Sequence, residues 1–143
     1  MAEAKRRSAA SVALGEELGP LTVELDRARL VRYAGAALDF NPIHWSEGAA
    51  STAGLPDVIA HGMLTMAVAG RLVTDWAGDP GAVERFDTRF SGMVPVAADA
   101  PASVQIRGTV AELDGERATV DLTVEVGGRP VLKAARAVVR LAT

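Results

Sequence analysis

From Gly62 to Trp76 apolar side chains fall on every side of a helical wheel, at Met63, Leu64, Met66, Ala67, Val68, Ala69, Leu72, Val73 and Trp76. A helix patterned this way is expected to lack a solvent face over most of its length, with Met63 and Met66 as core filler. Gly78 ends it, and Asp79-Pro80-Gly81 turns the chain. The period then changes. Val104, Ile106 and Val110, followed by Val120, Leu122, Val124 and Val126, alternate with polar residues as half-buried strands do. Asp114-Gly115 and Gly127-Gly128 separate these runs where hairpin turns require residues tolerant of positive φ. The pattern predicts three long antiparallel strands, over about Ser103 to Leu113, Arg117 to Val126 and Pro130 to Leu141.

Upstream, a strand over Leu21 to Leu25 leads to Asp26, placed to cap a helix whose apolar residues Leu30, Val31, Ala34 and Ala37 recur at helical spacing. That helix is expected to end near Leu38. Asn41-Pro42 forces a loop, because the residue before a proline avoids the helical region. A short helix follows, opened by Ser46-Glu47 and closed by Gly54. Residues 1–11 are polar, small and unpatterned, and read as a disordered leader before a single domain over 12–143. A helix apolar on all sides beside an antiparallel meander is covered most simply by a sheet curling around it. The expected fold is therefore α+β, a hot-dog arrangement with an antiparallel sheet wrapped on a long central helix.

Composition narrows the function. The 143 residues suffice for one domain with a sizeable core, and 49% hydrophobic with 23% charged residues is globular rather than disordered. A net charge of −3 argues against nucleic acid as a partner. The absence of cysteine removes disulfides, thiolate metal sites and cysteine nucleophiles, and fits the cytoplasm. No stretch forms an export signal, and Arg71 and Asp75 interrupt the most apolar segment well short of the roughly 20 residues of a membrane span.

Two places carry candidate chemistry. The loop Asp39-Phe40-Asn41-Pro42-Ile43-His44 brings a carboxylate and an imidazole within a short stiff segment, the inventory of an acid/base pair. Ala60-His61-Gly62-Met63 opens the central helix, whose first amides lack internal partners and carry the positive end of the dipole. Gly62 has no side chain to block their approach, so a thioester oxygen could be polarised there. Spacing alone equally permits ordinary turn chemistry at Asn41-Pro42 and a helix cap at Asp39, and it leaves His61 as a supporting or capping residue rather than a catalyst.

Tyr33-Ala34-Gly35, Asp39 to Trp45 and Ile59 to Thr65 resemble, in order and spacing, the signature of the MaoC-like (R)-specific hydratase and dehydratase family. The likeness continues through Val73 to Val83 and Arg89-Phe90, and is strongest to the B subunits of mycobacterial-type (3R)-hydroxyacyl-ACP dehydratases. The resemblance implies that Asp39 and His44 are catalytic, that Asn41 and Gly62 serve the substrate by orienting the pair and binding the thioester carbonyl, and that no metal or organic cofactor takes part. It implies an acyl-ACP or acyl-CoA substrate and a homodimer or a heterodimer with a related hot-dog subunit. The chain departs from the family where Ala37-Leu38 replaces a small Ser-Gly pair ahead of Asp39. Three other readings compete. They are a non-catalytic partner subunit, a thioesterase (for which the only acid on the central helix is Asp75), and a metal site of Asp39, His44 and His61.

Overall fold

The computed structural model describes residues 5–143. Five antiparallel strands, β1 (Glu17–Leu25), β2 (Val83–Phe90), β3 (Ala102–Asp114), β4 (Arg117–Val126) and β5 (Arg129–Arg140), form one sheet in the order β1-β3-β4-β5-β2. Three helices, α1 (Arg27–Ala37), α2 (Glu47–Thr52) and α3 (Gly62–Ala77), lie between β1 and β2 in sequence, and α3 packs on the sheet. This is the expected hot-dog architecture. The meander strands fall within a residue or two of the sequence expectation, because alternation on β3 and β4 and the glycines at the two turns leave little freedom in where each strand begins and ends. Gly115, Gly127 and Gly128 all have positive φ.

Alternation decides which side of the sheet is buried. Val104, Ile106 and Val110 on β3, Val120 and Val124 on β4, and Ala137 and Val139 on β5 are at most 1% exposed and face Ala69 and Val73 of α3 in one core. Burial of each such Val or Ile contributes roughly 1.5–3 kcal/mol.

Two expectations require correction. The central helix is not enclosed: Met63 is 56% exposed, Ala67, Arg71 and Asp75 are exposed, and Met66 is half-buried. A single five-stranded sheet covers only one side of the helix, and apolar character around the wheel does not by itself supply a cover on the other. The leader is also not free over its described part, while residues 1–4 lie outside the described residues. The Arg7 amide donates to the Ala77 carbonyl at 2.8 Å, and the Ala9 amide to the Ala142 carbonyl at 2.8 Å. Arg6 pairs with Asp79 at 2.7 Å, and Arg7 pairs with Glu16 at 2.6 Å while lying over the Trp76 ring. The basic residues near the N-terminus are therefore fasteners for the C-terminal end of α3.

Candidate active site

The candidate loop begins where α1 stops. Asp26 caps the helix start, accepting from the Arg29 amide at 2.7 Å, and Leu38 ends it in the left-handed region at φ 56°, ψ 29°. That turn lets the Asp39 amide reach back to the Ala34 carbonyl at 3.1 Å, which anchors Asp39 to α1. The position suits glycine, which meets no Cβ crowding in this conformation. Leucine takes up the same turn at a conformational cost.

Beyond Asp39 the loop folds on itself. The Asp39 carboxylate accepts from the Asn41 amide and the Asn41 side chain from the Ile43 amide, both at 3.3 Å, while Pro42 opens a single 3-10 turn ending at His44. Asn41 thus shapes the backbone between the two ionisable groups and is itself exposed. His44 is buried, and its Nδ1 lies 2.7 Å from the Ile59 carbonyl oxygen. A carbonyl only accepts, so Nδ1 carries the N–H and Nε2 keeps a lone pair able to take a proton.

His61 precedes α3 and provides no side-chain cap, so the first amides at Gly62 keep no such partner. The His61 ring stacks on His44 with centroids 3.7 Å apart, and its Nε2 lies 3.1 Å from the Asp39 backbone oxygen. Gly62 therefore sits beside the pair. Two spaces meet there: a mainly apolar cavity of about 180 Å³, reached by His44, Ile59 and Leu132, and a wider cleft of about 530 Å³ containing Asp39 and Tyr33. Gly62 and Phe90 line both. A Cβ at Gly62 would stand 3.1 Å from the Phe90 ring, so the glycine lets that ring lie against the helix start.

Other residues hold the site without a distinct sequence signal. The Arg27 guanidinium bonds the Val96 carbonyl at 2.6 Å, Asp57 at 2.7 Å and Glu47 at 3.3 Å, tying α1 to α2 and to the segments before α3 and β3. Phe90 was visible in sequence only within the Arg89-Phe90 likeness. Leu132 adjoins Val131 as a second consecutive buried residue on β5, which a two-residue period does not anticipate.

The competing site readings find less support. Ligand atoms of Asp39, His44 and His61 do lie within 4.8 Å of one another. The two imidazole planes, however, are only 23° apart and stacked, so their in-plane lone pairs do not converge within the ~2.0–2.1 Å of a metal–imidazole bond. Asp75 is exposed near the far end of α3, 3.6 Å from Arg71, away from the cavity. A groove of about 640 Å³ on the outer sheet face is lined by Arg85, Asp87, Arg89 and Arg136, but contains no histidine. Its Arg136 is already held by Asp121 and Glu112, so it offers no comparable proton-transfer pair.

The family profile described as MaoC like domain matches residues 9–128. A solved MaoC-like dehydratase superposes with a TM-score of 0.92 at 41% identity, over 96% of this chain and 43% of that one. The (R)-hydratase from A. caviae involved in PHA biosynthesis gives a TM-score of 0.83 at 25% identity, over 94% of this chain and the whole of that one. The 3-hydroxyacyl-thioester dehydratase X of Mycobacterium tuberculosis is 44% identical over 73 residues, which are 51% of this chain and 25% of that protein. A fatty acid synthase beta subunit of Emericella nidulans is 44% identical over 64 residues, 43% of this chain and 3% of that protein, so the chain spans a quarter or less of the length of these two curated relatives.

Proposed function

The chain belongs to the MaoC-like dehydratase family, and on that premise we propose that it interconverts (3R)-3-hydroxyacyl and trans-2-enoyl thioesters of acyl carrier protein or coenzyme A. The observation that carries the reading is the gathering of Asp39, His44 and the Gly62 helix start where an apolar cavity and a wider cleft meet. In the hydration direction, the Asp39/His44 pair takes a proton from water as its oxygen bonds to C3. The electrons of the C2–C3 double bond then move toward the thioester carbonyl, whose developing charge the amides at Gly62 stabilise. C2 receives a proton from the pair, leaving it in its starting protonation state. Such positioned acid/base groups and oxyanion donors are what elimination beside a weakly acidic C2–H requires.

The αL turn at Leu38 supports an active chain over a non-catalytic partner, since it keeps Asp39 anchored to α1 as a glycine would. The same reading includes pairing with a second hot-dog subunit, either another copy or a related chain. β2 is an edge strand bearing the exposed Phe90, and Met63 lies open beside it on α3. Exposed strand edges are normally paired or covered. Among the described residues no helix is long and apolar enough to cross a membrane, and a cytoplasmic setting fits the cysteine-free sequence. The test is hydration of enoyl thioesters of graded length by the chain alone and with related subunits, followed by chiral analysis. Formation of the (R)-3-hydroxyacyl product is expected. No turnover in any combination, or mainly (S) product, overturns the reading.

A further inference from the structure

We propose that His61 is a positioning residue that holds Asp39 and His44 in register with the start of α3. The inference rests on the hydratase reading of that pair. His61 is 2% exposed, and it meets each part of the site in a different way. Its Nε2 lies 3.1 Å from the Asp39 backbone oxygen, its face stacks on His44 at 3.7 Å and 23°, and Tyr33 packs against it edge-on at 4.8 Å. Being the residue before Gly62, it joins all of these to the amides proposed to bind the thioester carbonyl.

Its tautomer follows from the same contacts. The Asp39 carbonyl can only accept, so an N–H on Nε2 is satisfied there. Nδ1 is buried without a hydrogen-bond partner, and an N–H placed on it would be a buried donor with nothing to receive it. The ring therefore carries its proton on Nε2 and donates to Asp39. It also gives the His44 ring a flat wall, while the Ile59 carbonyl fixes that ring at its edge. His61 neither caps α3 nor contacts a reacting atom, so its effect comes through the placement of the two groups it touches.

The test uses the full chain with a crotonyl thioester and the variants His61→Phe, which keeps a ring but has no N–H, and His61→Gln, which supplies an N–H at similar reach. For His61→Phe, kcat should fall about ten- to a hundredfold with KM within about twofold, as for small misplacements of reacting groups. His61→Gln should recover most of that loss, and melting curves should show both variants folded. In wild-type protein, imidazole nitrogen NMR should report His61 as the Nε2–H tautomer. Wild-type kcat in His61→Phe, a His61→Gln defect equal to that of His61→Phe, or an Nδ1–H tautomer would each overturn the proposal. If wild-type protein shows no turnover either alone or with a related subunit, the hydratase reading falls, and the tautomer still decides whether His61 is bonded to Asp39 as proposed.

Discussion

Replacing Leu38 with glycine should make the protein more stable, although glycine usually weakens a helix interior. Leu38 sits at φ 56°, where a side chain with a Cβ is crowded, at a cost of about 1–2 kcal/mol. Glycine is free of that crowding but loses roughly 0.5–1 kcal/mol more in backbone entropy on folding. Leu38 is 77% exposed, so little buried area is lost with its side chain. The balance is a gain of about 0.5–1 kcal/mol, or about 2–4 °C in melting temperature for a chain of this size. Chemical denaturation of wild type, Leu38→Gly and Leu38→Ala measures it, because alanine removes the same exposed side chain but retains the crowding. Leu38→Ala should show no such gain, and Leu38→Gly should keep its hydration activity, since the Asp39 amide remains bonded to Ala34. A gain in Leu38→Ala equal to that in Leu38→Gly, or a loss in Leu38→Gly, would refute the argument from backbone conformation.

Gly62→Ala should lower hydration at least about tenfold by placing a methyl over the amides that receive the thioester oxygen. The accompanying change in melting temperature should be small, because the ring it meets belongs to the half-exposed Phe90. Light scattering should give twice the 14.8 kDa chain mass for the chain alone, or a one-to-one complex with a related hot-dog subunit; a monomer that hydrates enoyl thioesters at full rate would contradict this. The Arg6 guanidinium, hydrogen-bonded to Asp79 and aided by the Gly81 amide, holds the Asp79 carboxyl below its ordinary value of 3.8. A depressed carboxylate stabilises the fold above its ordinary pKa and loses that contribution as pH falls through the lowered one. Wild type should therefore melt above Arg6→Ala near neutral pH, with the difference shrinking as pH falls below 3.8; an advantage that grows on acidification would contradict the assignment.

The second half of the fold was legible because Val104, Ile106, Val120 and Val124 alternate strictly and the glycines at 115, 127 and 128 terminate each run. The α1 boundary was legible for a similar local reason, a capping aspartate followed by helical spacing. What sequence misjudged were relations between distant segments. A helical wheel shows that Met63 and Ala67 are apolar but not that the single sheet leaves them uncovered. Residues 5–11 have no periodicity because their order comes from Ala77, Asp79 and Ala142, far along the chain. At the site, Asp39 and His44 were conspicuous as a loop motif, and Gly62 as a helix start. The stacking of His61 on His44 joins residues 17 apart and has no local signature.

The most direct test of the central claim is the rate of crotonyl-thioester hydration by wild type, Asp39→Asn and His44→Ala, with a partner subunit present if the chain requires one. Wild type should turn over, and each variant should lose at least about a hundredfold in rate while keeping the wild-type melting transition, as expected for positioned acid/base groups. Near wild-type turnover in either folded variant would contradict the assignment of the pair.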